Sequence, residues 1–199
     1  MRSDEARAQP GLLPPSDVTR IRRSLLRWGR SHYKQYPWRS AEHSWHALIA
    51  EVLLQRTRAE SVVPVYSAFV DRYREVGSLH DATEESIGEI MYPLGLRWRV
   101  PLVTSLCRDI SDRRGSVPSD YGELLQLPGV GPYVASAFLS LHCGRYAVIV
   151  DANVVRFICR LTGAQMDGET GRKRWLLDIA EQLTPRRNTR TFNYALLDF

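Results

Sequence analysis

Leu127-Pro128-Gly129-Val130-Gly131-Pro132-Tyr133 is the stretch on which the reading of this chain turns. Ahead of it Tyr121, Leu124 and Leu125 recur at helical spacing, and behind it Val134, Ala137, Phe138 and Leu141 do the same, so Gly129 and Gly131 occupy a very short link between two helices. Two glycines in three residues imply a hard turn or a close approach of the backbone to something else. Pro132 suits the first position of the second helix, where a missing N–H costs nothing. The amides of the link and of the turn after it then face outward with the positive end of a helix dipole behind them, which is a phosphate site built from backbone. An ordinary interhelical turn fits the same spacing.

Two carboxylates stand out. Asp151 follows the apolar run Ala147-Val148-Ile149-Val150 and precedes the amphipathic pattern Val154, Val155, Ile158 and Cys159, which places it at a helix start. It reads both as a plain N-cap and as an anion held against apolar neighbours for catalysis. Glu51 lies within Ile49-Ala50-Glu51-Val52-Leu53-Leu54, and positions 48, 52 and 55 share its flank. An acidic group there is costly unless it is paired or used, so a salt-bridged boundary glutamate is the structural alternative. Gln55 and Arg56 end the same helix, exposed and long enough to reach well beyond it.

With 199 residues the chain can form one domain or two small lobes around a real core. Its net charge of +5 and pI near 9.3 suit a polyanionic partner without demanding one. Every basic residue except Lys34 and Lys173 is arginine, whose rigid fork matches phosphate oxygens, although genomic base composition produces the same bias. Cys107, Cys143 and Cys159 each fall inside an apolar helical pattern, at spacings of neither a zinc knuckle nor a ferredoxin-type cluster, and read as reduced core thiols of a cytosolic protein. The five histidines are scattered; His43 and His46 could share a helical face but lack a third ligand, so no metal site is expected. No apolar run approaches membrane length, and the N-terminus carries acidic residues and early prolines instead of a signal-peptide core.

Residues 1–16 read as a flexible tail, and a first helix starting near Asp17, its cap, carries Val18, Ile21, Leu25 and Trp28. Pro37 sets up Trp38-Arg39. Helices follow over about 44–56 and 59–73, the latter with Val62, Val63, Tyr66, Phe69 and Val70 as its core face. After a short helix with Glu84-Glu85 in its first turn, the loop Pro93-Leu94-Gly95-Leu96-Arg97-Trp98-Arg99 puts Leu96 and Arg97 side by side. That combination suits a minor-groove wedge with phosphate anchors, or a packed turn with Trp98 inside. A helix over about 98–113 and a short one begun by Ser119 or Asp120 lead into the glycine link. The Asp151 helix, one around Trp175–Leu183 and one around Asn193–Leu197 complete the pattern. Arg172-Lys173-Arg174 and Arg186-Arg187 with Arg190 suit solvated faces first and backbone phosphates second. Only 147–150 could be strand, so the fold class is all-α.

Taken together, Leu127–Tyr133 with Val150-Asp151-Ala152-Asn153, Pro37-Trp38-Arg39, Glu51-Val52-Leu53-Leu54-Gln55-Arg56-Thr57 and Phe192-Asn193-Tyr194-Ala195-Leu196-Leu197-Asp198-Phe199 resemble, in order and spacing, the helix-hairpin-helix plus Gly/Pro/Asp (HhH-GPD) DNA glycosylase superfamily. That superfamily contains endonuclease III, the adenine glycosylase MutY and the archaeal-type thymine glycosylases acting on T/G mismatches. The resemblance runs from about Leu25 to Phe199. It implies a two-lobed helical fold with DNA and a flipped base in the cleft: an end-lobe from 17–39 and 143–199, and a middle lobe of 40–142 holding the helix-hairpin-helix at about 121–141. It implies hydrolysis of an N-glycosidic bond, with Asp151 as the fixed anion near the anomeric carbon and, through a water, the general base. Glu51 would polarise or protonate the base or orient water. Gly129, Val130 and Gly131 would hold the DNA backbone, with Asn153, Arg56 and Arg97 as further DNA contacts and Gln55 and Leu96 facing the orphaned guanine. The implied partner is double-stranded DNA with a mismatched base, where extrusion is cheapest, bound by a monomer in the cytoplasm at the nucleoid, with no membrane.

Tyr133 decides the subtype. Relatives that cleave the strand through a Schiff base have lysine at the matching position, and many adenine-specific ones have serine; tyrosine resembles the thymine glycosylases that process T/G and U/G pairs. Gln55 is similar to the adenine enzymes, whereas Arg56-Thr57 is similar to the thymine ones. The expected activity is a monofunctional thymine or uracil glycosylase in base excision repair without AP-lyase activity. A MutY-type adenine glycosylase, a modified-cytosine glycosylase and a non-catalytic helix-hairpin-helix DNA-binding protein stay open. Familiar relatives continue into a four-cysteine loop that binds a four-iron four-sulfur cluster, and the sequence reaches Phe199 before any such cysteines, as in a truncated chain or one that naturally lacks the cluster. No cofactor is therefore expected beyond a monovalent cation at the hairpin, common in the family.

Overall fold

A computed structural model describes residues 10–199. In chain order its helices are α1 Pro15–His32, α2 Ser44–Leu54, α3 Ala59–Arg72, α4 Glu84–Met91, α5 Val100–Asp112, α6 Tyr121–Leu124, α7 Pro132–Ala137, α8 Ala152–Thr162, α9 Arg174–Leu183 and α10 Thr189–Asp198. The last turn of α7 widens into a π-turn over Phe138–His142. No strand occurs among the described residues, so the all-α expectation holds; 147–150 runs without regular structure. The chain forms two compact units, one of Lys34–Arg145 and the other of the residues up to Tyr33 with Tyr146–Phe199. Lys34–Arg39 and Cys143–Arg145, grouped with the chain ends on sequence, fall within the middle unit.

In the unit built from the chain ends, α1, α8, α9 and α10 bury Leu25, Val155, Ile158, Leu176, Ile179 and Phe192 in one core. The chain enters this unit earlier than its sequence suggests. Pro14 is the N-cap of α1 and Pro15 its first residue, while Asp17 lies in the first turn and pairs with Arg20 at 2.9 Å. Proline is well placed there because the first helical N–H groups have no partner inside the helix. Leu13 exchanges two hydrogen bonds with the Gln182 side chain, at 2.9 and 2.7 Å, so this part of the expected tail is tied down; residues 1–9 of it lie outside the described residues. Arg22 donates to the carbonyls of Leu183 and Gln182 at the C-terminus of α9, where a cation complements the helix dipole. At Gly29 α1 packs closely on α10: a Cβ there would stand 2.5 Å from the Ala195 Cβ.

In the middle unit α2 is buried almost all round, from Trp45 through Leu53, which makes it the central helix. Trp38 stacks on Tyr36 at 4.8 Å and meets Tyr66 edge-on. The core face of α3 is Val62, Val65, Tyr66 and Phe69, with Val63 and Val70 half-buried at its margin and Pro64 exposed within the helix. A reciprocal capping box between Thr83 and Ser86 starts α4.

Gly29→Ala should lose about 1–3 kcal/mol of stability through overpacking, even though alanine is the better helix former by about 1 kcal/mol. Urea unfolding measures this, and Ala195→Gly in the same chain should recover most of the loss.

Candidate active site

The glycine link is a tight hairpin. Asp120 caps α6 by accepting from the amides of Gly122 and Glu123 at 2.8 and 3.1 Å, which settles the choice between Ser119 and Asp120. The Val130 amide donates to Leu127 O at 3.1 Å and closes the turn. Gly129 has φ +75°, a conformation that favours glycine. Gly131 is extended, and a Cβ there would meet nothing within 4 Å. Packing therefore does not demand glycine at 131; its bare backbone leaves room for something approaching from outside. Val130 is buried and its amide is spent within the turn, so the hairpin amides that donate to no acceptor among the described residues are those of Gly129 and Gly131. Tyr133 is half-buried in the first turn of α7.

The end of α2 is fastened to this hairpin. Gln55 Nε2 donates to Gly129 O at 3.1 Å, so the half-buried glutamine expected to reach outward is committed to the turn. Arg56 is exposed and has φ +56°, a sparsely populated conformation for a side chain of its size. Underneath, the buried Arg99 donates through one guanidinium nitrogen to Val52 O and Leu53 O, both at 3.3 Å, countering the negative end of α2. Burial, and then the nearby Arg56, lower its pKa. The loop before α5 differs from a packed turn: Trp98 is 59% exposed, with the Arg99 guanidinium 5.3 Å from its ring. Arg97 is exposed over the Tyr92 ring, itself exposed, and Leu96 is half-buried.

Glu51 is 2% exposed, as its position in an apolar run suggested, and it is paired: His142 Nε2 lies 2.8 Å from Glu51 Oε1. Sequence reasoning left His142 among the scattered histidines. Nothing in the sequence marks a π-turn, and the partner is 91 positions away.

Asp151 belongs to the other unit, and the plain N-cap its sequence context allowed is what the structure shows. It caps α8, accepting from the Val154 amide at 2.8 Å, and it also accepts from Asn153 Nδ2 at 3.0 Å. Asn153 in turn accepts from Arg156, so the DNA contact expected of Asn153 is in this structure an orienting partner of Asp151. Burial pushes the Asp151 carboxyl above its ordinary value, against the Val154 and Asn153 hydrogen bonds and the Arg156 charge, which pull it back.

No three His, Cys, Asp or Glu residues among the described ones stand close enough to share a metal ion. Burial drives the Cys107 thiol up to about 12, which keeps it protonated and unsuited to ligation. These residues do not fit an iron-sulfur cluster. At the hairpin, Gly129 O and Leu127 O already accept hydrogen bonds from Gln55 and Val130, so a cation there would share them. Among the described residues no helix is long and apolar enough to cross a membrane.

The segment that carries Glu51, the hairpin and Asp151 is also what matches a known family: residues 49–179 fit the model of the HhH-GPD superfamily base excision DNA repair proteins. The chain belongs to this superfamily. It is 36% identical to a thymine/uracil-DNA glycosylase of Pyrobaculum aerophilum, over 92% of this chain and 82% of that one. It is 34% identical to a thymine-DNA glycosylase of Aeropyrum pernix, over 91% and 84%. The solved structure of a thermostable thymine-DNA glycosylase superposes with a TM-score of 0.81 at 31% identity, covering 92% of this chain and 86% of that one.

The raised Asp151 pKa has a thermodynamic consequence. The native state holds that proton more tightly than the unfolded chain, so the stabilisation it brings is full at low pH and is lost as pH rises through the folded-state value. Asp151→Asn keeps a capping oxygen and never ionises. It should melt above the parent at neutral pH, by calorimetry, and the difference should narrow as pH falls toward 3.8.

Proposed function

We propose that the protein is a monofunctional DNA glycosylase that removes thymine or uracil mispaired with guanine from duplex DNA. What carries this reading is its similarity, over nine-tenths of the chain, to thymine and thymine/uracil glycosylases, joined to the tyrosine at position 133.

Breaking an N-glycosidic bond develops positive charge on the sugar and negative charge on the leaving base. Asp151 answers the first: its carboxylate is aimed by two hydrogen bonds and partly withdrawn from water, where a fixed charge acts more strongly. Its raised pKa also suits a base that takes a proton from the attacking water, since a base works best with a pKa nearer the working pH. Glu51 answers the second, as an acceptor or donor at the extruded base or at its water. The open amides of Gly129 and Gly131 serve the phosphates, with exposed Arg56 and Arg97 as further anchors and Leu96 as the wedge candidate. Tyr133 borders the pyrimidine.

Strand cleavage by β-elimination needs an amine that attacks the anomeric carbon. Tyr133 offers a phenol in place of the amine. The two lysines are engaged elsewhere, Lys34 near Glu60 at 3.8 Å and Lys173 on Asp167 at 2.5 Å.

Duplexes with T/G, U/G, T/A, A/G, A opposite 8-oxoguanine and modified-cytosine pairs separate the possible substrates. T/G and U/G should be processed and T/A spared; release of adenine alone, or equal excision from T/A, defeats the assignment. In the same assay Asp151→Asn should slow base release by roughly 10²–10⁴-fold while still binding duplex.

The product should be an intact abasic strand that breaks only on alkali or heat. Borohydride added during turnover checks this, and a stoichiometric covalent adduct with cleavage matching base release would show a lyase instead.

A further inference from the structure

The carboxylate of Glu51 is buried on the central helix of its unit, and its two oxygens have different surroundings. Oε1 is held by His142 Nε2 at 2.8 Å. Oε2 has no hydrogen-bond partner among the described residues, yet it is not among the buried polar atoms that are cut off from solvent and unpaired. One oxygen is therefore held by His142 and the other has no hydrogen-bond partner among the described residues. His142 is itself nearly buried, its side chain 7% exposed, and its ring lies against Phe138 at 5.8 Å between centroids.

The position of His142 depends on a feature that ordinary helix continuation would not give. From Phe138 the helix widens, and the Cys143 amide bonds back five residues to Phe138 O at 3.1 Å. Such a widened turn accommodates one extra residue and so resets the side chains near it by roughly the 100° that one residue occupies in an α-helix. Phe138, Leu139, Ser140 and Leu141 are all buried across this turn, and His142 closes it beside Glu51.

We infer that His142 is a positioning residue for Glu51, fixing the carboxylate through Oε1 so that Oε2 is the oxygen left to act on the extruded base or its water. The inference rests on the reading of Glu51 as catalytic. His142 need not touch DNA; it acts through Glu51.

A double-mutant cycle in single-turnover excision from a T/G duplex tests it, with melting temperature and duplex affinity measured for each variant. His142→Ala should slow the chemical step on the order of 10²-fold, as loss of orientation does, with duplex affinity unchanged. His142→Gln, whose amide nitrogen can occupy nearly the place of Nε2, should recover most of the rate. In a Glu51→Gln chain, adding His142→Ala or His142→Gln should cost nothing more, because the group through which His142 acts is already gone. Independent losses that multiply, or a His142→Ala enzyme that melts lower and turns over as fast as the parent while Glu51→Gln is slow, would overturn the inference and leave Glu51 in place. A Glu51→Gln enzyme with the parental rate would remove the catalytic role of Glu51 itself, and the role of His142 with it. If His142→Ala does not fold, the comparison of His142→Gln with and without Glu51→Gln decides the same point.

Discussion

A carboxylate at 2% exposure on the flank of an apolar helix needs compensation, and much of the middle unit is arranged around the compensation Glu51 receives. Removing one member of a buried ionic or hydrogen-bonded pair typically costs about 3–5 kcal/mol, so a helix bearing such a group cannot rotate or slide without losing it. The anchored helix is α2, and it carries more than Glu51. Its last carbonyls hold Arg99, and the residue that follows it, Gln55, holds the hairpin at Gly129. One burial problem thus fixes the carboxylate, the turn that presents Arg56 and the glycine backbone in a common frame.

The other unit shows the opposite bargain. Asp151 does the work of a cap that an asparagine could do as well, and it does so as an acid whose charged form is disfavoured by its surroundings. A fold selected for stability alone has no reason to keep an ionisable group there. The proposed reaction, which builds positive charge on a sugar, would supply one.

The sequence showed the fold class and the positions of most helices clearly, because apolar spacing reports burial directly and α2, α8 and α9 carry unbroken patterns. The hairpin and both carboxylates were legible for the same reason: glycine pairs and acids in apolar company are rare enough to be conspicuous. Three things were not legible. The π-turn is decided by how its side chains fill the space beside α2, so His142 gave no sign of its partner. The direction of a polar side chain depends on which acceptors the fold leaves within reach, distant in sequence for Gln55, which turned inward to Gly129, and two residues away for Asn153, which turned to Asp151. Helix starts at proline follow a different rule from starts at aspartate, and the double proline at Pro14-Pro15 outranked Asp17 as the opening of α1.

The close approach of Gly29 to Ala195 also bears on how the molecule is made. During synthesis α1 leaves the ribosome with the apolar stripe of Val18 and Leu25 and the notch at Gly29 exposed, and its partner α10 follows only after the whole middle unit. The intervening middle unit is continuous in sequence and has its own buried core, so it can be complete while α1 still waits. An α1 left unpaired for that interval presents an apolar helix face of the kind chaperones recognise.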